Sequence, residues 1–132
     1  MKTIQGDECF ETLDLKQYLI FYFTASWCGP CQAIAPKIQE LSDQLDPEKI
    51  RFFKIDIDEE ENNEICDICK IKSVPSFLLF KDRTYLDRIQ GANLELIKKM
   101  IIDYVKVEEE EKREEKEKYQ ENKNINNTID GN

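Results

Sequence analysis

The chain has 132 residues with 40% hydrophobic content, enough for one domain with a real core and hardly enough for two. Its 19 basic and 28 acidic residues give a net charge of −9 with no compensating basic patch, which argues against nucleic acid as a partner. The absence of histidine removes Cys/His hydrolases and histidine metal sites.

Residues 1–8 lack the apolar stretch of a secretory signal and the acid-poor character of a transit peptide, and no transmembrane segment follows. A cytoplasmic, reducing location is therefore expected. There the five cysteines need not be structural bridges, and an odd number leaves at least one unpaired. Cys9 carries no signal of its own. Tyr18 to Ala25 is a continuous aromatic and apolar run, which reads as a fully buried strand of an α/β sheet.

Trp27-Cys28-Gly29-Pro30-Cys31 comes next, and beyond it Ile34, Ile38, Leu41 and Leu45 recur at helical spacing, so a helix is expected over 29–45. Two cysteines at i and i+3 on the first turn of a helix can close a small disulfide ring. The unpaired N–H groups and dipole of the helix start stabilise a thiolate there. Gly29 suits a tight entry turn, and Pro30 supplies a fixed φ where its missing N–H costs nothing. Cys28, nearer the helix start and beside Trp27, reads as the attacking thiolate. Cys31, one turn inward, reads as the resolving thiol.

Further along, a strand is expected near 50–57, a helix near 60–70 after a run of acids, and strands near 76–81 and 84–90. A helix starts at Asn93, a good N-cap, with Leu94, Ile97, Ile101, Tyr104 and Val105 on its buried face. After Val107 the composition changes. Residues 108–118 have no apolar stripe and several Glu-to-Lys i,i+4 pairs, which prolongs the last helix into solvent, and the Asn-rich stretch from Glu121 reads as disordered. The expected domains are thus 1–106 and a Glu/Lys-rich helical extension with an Asn-rich tail over 107–132.

The stretch from Phe23 to Pro36, containing Trp27-Cys28-Gly29-Pro30-Cys31 with a helix-kinking Pro36 five residues later, resembles the thioredoxins. Lys54-Ile55-Asp56-Ile57-Asp58 is similar to the family's central strand, Ser73-Val74-Pro75 with the strand after it to its cis-proline strand, and Gly91-Ala92 to the entry to its last helix. The order of these four motifs makes the resemblance specific, and it covers residues 1–106. It implies a thioredoxin fold, a central mixed β-sheet flanked by helices on both faces. It also implies a dithiol/disulfide oxidoreductase that reduces protein disulfides and is reset by a thioredoxin reductase-like donor, with no cofactor, no metal, no membrane and a monomeric state. Val74, Pro75 and Gly91 are implied as substrate-binding positions, with the Val74–Pro75 bond cis.

One departure stands out: the buried aspartate that most thioredoxins carry six residues before the first cysteine is Tyr22 here. A phenol titrates near pH ~10, so it donates a hydrogen bond but is a poor general base. The Tyr-Phe-Thr-Ala-Ser-Trp stretch is also similar locally to tryparedoxins and nucleoredoxins, although the Gly-Pro dipeptide is the thioredoxin one. Lys54 either tunes a thiol or is a solvated surface lysine. Cys66 and Cys69 are open to a regulatory oxidative role, known in some eukaryotic members, or to plain packing, which the poor mid-helix geometry for a disulfide favours. The competing reading of the whole chain is a thioredoxin-fold interaction module with secondary redox activity. An isomerase or net oxidase is weakened by Gly29-Pro30.

Overall fold

A computed structural model describes residues 1–106 and 113–115. It divides into two units, one of Met1–Lys99 and one that begins at Met100. In the first, five strands form one sheet: β1 (Lys2–Thr3), β2 (Tyr18–Thr24), β3 (Ile50–Asp56), β4 (Ser76–Lys81) and β5 (Thr84–Gln90), in the order β1-β3-β2-β4-β5. β3 runs parallel to both β1 and β2, whereas β4 is antiparallel to β2 and to β5, so the sheet is mixed. The segment expected to be the central strand is β3, which stands second in the order. β2 takes the middle, as its unbroken apolar run requires: all seven of its residues are buried.

Because side chains alternate along a strand, the two faces of β2 feed two cores. Leu19, Phe21 and Phe23 pack with Phe53, Ile55, Leu78 and Phe80, with Cys9 of α1 (Asp7–Thr12) and Ile65 of α3 (Asn63–Ile68), and with Leu13 and Cys69 just past the ends of those helices. Ile20 and Tyr22 point the other way, toward α2 (Gly29–Gln44). Tyr22 stacks on Phe77 with ring centroids 4.8 Å apart, and α2 turns Cys31, Ile34, Ile38 and Leu41 inward.

Pro36 lies inside α2, removing one helical N–H, and Pro47 blocks continuation of the helix beyond Asp46. The Asp46 carboxylate accepts the Glu48 N–H at 2.9 Å and fixes the turn into β3.

The helix expected near 60–70 is shorter than its apolar pattern suggests: a 3₁₀ turn, Glu60–Asn62, leads into the six residues of α3. Lys70 ends it with a left-handed φ of 55°. The Ile71 N–H bonds the Cys66 carbonyl at 3.0 Å and the Lys70 N–H bonds the Asp67 carbonyl at 3.1 Å, a Schellman arrangement with lysine where glycine is usual. β1 and α1 were not legible in the sequence, since a two-residue strand and a six-residue helix are too short to show a period. α4 (Leu94–Ile101) starts where expected, with the Asn93 side chain accepting the Leu96 N–H at 3.1 Å.

In the second unit the helical path continues as a π-type stretch over Ile102–Lys106, and 113–115 are helical and exposed. The expected helical extension over 108–118 and the disorder expected from Glu121 onward otherwise lie outside the described residues.

Candidate active site

The Cys28–Cys31 pair sits where β2 hands over to α2. Cys28 is the N-cap of α2 in extended backbone, and its sulfur accepts the Cys31 N–H at 3.2 Å. A helix start carries unpaired N–H groups and partial positive charge, so negative charge on this sulfur is favoured. The two residues are joined by a disulfide with a Cα–Cα distance of 5.2 Å. Cys28 is 5% exposed and Cys31 is 0% exposed, which makes Cys28 the sulfur a partner reaches first.

Pro30 occupies the first turn of α2 as expected. Gly29 does not answer to its expected reason. Its φ is not left-handed, and a Cβ there would meet nothing within 4 Å, so the entry turn does not demand glycine. What the missing side chain leaves is open space beside Cys28.

Of the residues implied as substrate-binding, Val74 lies against this sulfur, Pro75 follows it in the chain and Gly91 is bonded to Pro75. The Val74–Pro75 peptide is cis. The Val74 carbonyl oxygen lies 3.6 Å from Cys28 Sγ, where the reduced thiol can donate to it. The Gly91 N–H donates to the Pro75 carbonyl at 2.8 Å, and the Gly91 φ of 99° is one that favours glycine. Trp27 is 67% exposed, and its indole N–H donates to the Asp58 carboxylate at 3.1 Å. Gln32 donates to the Ala25 carbonyl at 3.0 Å and braces the turn. Asp58 and Gln32 escaped the sequence reading because both contacts depend on how β3 and α2 sit against the turn.

Tyr22 lies beneath the pair, with its hydroxyl donating to the Cys31 carbonyl at 3.3 Å. Burial pushes the phenol above its ordinary value of 10.0, so it stays neutral and holds no negative charge to take a proton from Cys31. Lys54 is the register partner of Tyr22 across β2 and β3 and is half-buried.

The remaining thiols belong to the other face of the sheet. Cys9 and Cys69 are in its core and Cys66 packs against it, all three free. Burial, with the neighbouring Glu8 next, pushes the Cys9 thiol from 9.0 up to about 12. Burial raises Cys69 to about 11 against a lowering by Arg88, and it raises Cys66 as well. Low thiolate content makes these sulfurs poor nucleophiles.

The family model for thioredoxin matches residues 2–106. Thioredoxin-2 of Pyricularia oryzae is 40% identical over 83 residues, which span 63% of this chain and 46% of that protein. Thioredoxin of Ictalurus punctatus is 38% identical over 82 residues, 62% of this chain and 75% of that one. A solved structure of Plasmodium falciparum thioredoxin superposes with a TM-score of 0.70 at 32% identity, covering 79% of this chain and 99% of the other. No described helix is long and apolar enough to cross a membrane. The mixed five-stranded sheet, the disulfide at the start of α2 and the match over 2–106 together place the chain in the thioredoxin family, the dithiol/disulfide oxidoreductases.

Proposed function

We propose that Cys28 is the nucleophile and Cys31 the resolving thiol of a cycle that reduces disulfides in protein substrates. The Cys28 thiolate attacks one substrate sulfur, forming a mixed disulfide and releasing the other substrate sulfur as a thiolate. Cys31 then attacks Cys28 Sγ, the second substrate sulfur leaves reduced, and the Cys28–Cys31 disulfide that forms carries the two electrons' worth of oxidation. A reductase of the thioredoxin reductase type returns the pair to dithiol. The single observation that carries this assignment is the asymmetry at the helix start: Cys28 Sγ accepts the Cys31 N–H and is the more exposed sulfur.

Trp27, Gly29, Pro30, Val74, Pro75 and Gly91 form the surface on which the substrate segment is held. The chain works as a monomer in the reducing cytoplasm. Residues 1–106 are the catalytic domain and 107–132 an acidic extension that chemistry does not need. Lys54 acts only on the electrostatics of the strand beside Tyr22, and Cys66 and Cys69 are packing thiols rather than a regulatory pair.

Insulin disulfide reduction with dithiothreitol as electron source tests the assignment. Cys28→Ser should abolish turnover, and Cys31→Ser, mixed with insulin before dithiothreitol is added, should accumulate a mixed disulfide on Cys28 that dithiothreitol then releases. Equal residual activity in the two single variants, or trapping on Cys31, would overturn the roles.

A further inference from the structure

Away from the sulfur pair, side chains from α1, α3, β4 and β5 and their turns enclose a cavity of about 530 Å³. That is the size of a small-molecule site, which is mostly apolar with a few polar groups that fix orientation. Phe10, Leu13, Ile65, Leu78 and Phe80 supply apolar wall. Three cations, Lys70, Arg83 and Arg88, also line it, and no lining residue is acidic. In a chain of net charge −9 this is a local reversal of sign.

The three cations differ in what they have left to give. Arg83 is ion-paired with Asp14, and Lys70 is exposed. Arg88 is half-buried, its guanidinium 5.1 Å from the Tyr85 ring centroid. It donates to the Tyr85 hydroxyl at 2.9 Å, the Cys69 carbonyl at 3.0 Å and the Lys70 carbonyl at 3.5 Å. All three acceptors are neutral. A guanidinium has five N–H donors, so two are left over with a positive charge that these acceptors do not cancel. The Tyr85 hydroxyl, accepting from Arg88, keeps its own proton to donate.

We propose that this cavity binds a small amphipathic anion, a monocarboxylate with an apolar tail. Arg88 and the Tyr85 hydroxyl hold its carboxylate, and its tail lies against Phe10, Leu13 and Ile65. Planar bidentate pairing of guanidinium and carboxylate supplies the orientation, and burial of the tail supplies the bulk of the affinity. A docked protein is a poorer fit, because a stable interface needs roughly 800 Å² per partner. The large exposed apolar side chains lining this cavity are Ile68 and Tyr85 alone.

The test is a titration of the reduced full-length protein with decanoate, followed by two-dimensional amide NMR. The expected result is saturable shifts grouped at Phe10, Ile65, Cys69 and Tyr85. Decan-1-ol, with the same tail and no charge, should bind at least tenfold more weakly. Arg88→Gln should weaken decanoate at least tenfold. Because Arg88 also holds the end of α3, Ile68→Glu provides a second variant at an exposed position, setting a carboxylate at the mouth and weakening decanoate by a similar factor. Non-saturable shifts, equal binding of decan-1-ol, or unchanged decanoate affinity in Ile68→Glu would each overturn the proposal.

Discussion

A phenol below Cys31 changes what can happen to a proton there. Tyr22 donates to the Cys31 carbonyl, and burial keeps it neutral, so under the proposed roles the Cys31 thiol gives its proton to water or to the departing substrate sulfur rather than to Tyr22. Tyr22→Asp should therefore raise the single-turnover rate of insulin reduction. It should also carry a pH-dependent stability cost. A buried carboxyl has its folded pKa raised above the unfolded value near ~3.9, so the folded form is favoured below that pH and loses ground as pH rises above it. Urea unfolding should show the variant roughly 1–3 kcal/mol less stable at pH 7 than at pH 4, relative to wild type, and a flat difference would put the carboxylate in contact with water. Trp27, two-thirds exposed beside Cys28, makes the opposite trade. Trp27→Ala should slow insulin reduction several-fold while moving stability by no more than about 0.5 kcal/mol, which activity and urea midpoints measured on one preparation would show.

Asn62 does for the elements what Cys28 does for the chemistry, and nothing in its local sequence marks it. It is fully buried, accepts the Gly6 N–H at 2.9 Å and donates to the Asp56 carbonyl at 2.8 Å, so one side chain ties the turn between β1 and α1 to the end of β3 and the start of α3. Asn62→Ala should cost about 1–3 kcal/mol in urea unfolding, mainly through the orphaned Gly6 N–H, and a loss below 0.5 would mean that water replaces the amide. The helical segments on that face also hold the raised thiols. Cys9 at about 12 and Cys69 at about 11 keep their protons in the fold at pH values where an unfolded thiol near 9.0 has lost its own. The unfolded chain then binds fewer protons, so stability is full below pH 9 and falls as pH rises from 9 toward 12. Cys9→Val should flatten that fall, as read from urea midpoints at pH 8, 9.5 and 10.5; an equally steep fall would assign it to other groups.

These same elements mark the limit of what the chain discloses. β2, α2, β4 and β5 could be read because each has a long apolar run or a clear period, and the site could be read because Trp27 to Cys31 and Ser73 to Pro75 are contiguous in sequence. Asn62, Asp58 and Arg88 could not, because each acts on a partner that only the finished sheet brings near.

Across the whole molecule, charge is unevenly used. Asp56 ends β3, and Asp58, Glu59, Glu60 and Glu61 follow it on the side where Asp58 meets Trp27. A disulfide peptide flanked by lysines should thus be reduced several-fold faster than one flanked by glutamates at low salt, and the gap should narrow above about 0.15 M ionic strength. A salt-independent ratio would show that contact and not field decides. A chain ended after Val107 should keep insulin reduction within twofold of the full protein; a larger loss would bring the acidic extension into catalysis. The two borders of the sheet have a consequence of another kind. β1 offers only two paired residues, and β5, the opposite border, carries Asp87 and Arg88 and adjoins an irregular register at Leu79 and Phe80. Short, charged and irregular borders give a foreign strand little to add to, so the sheet resists edge-to-edge association with other chains.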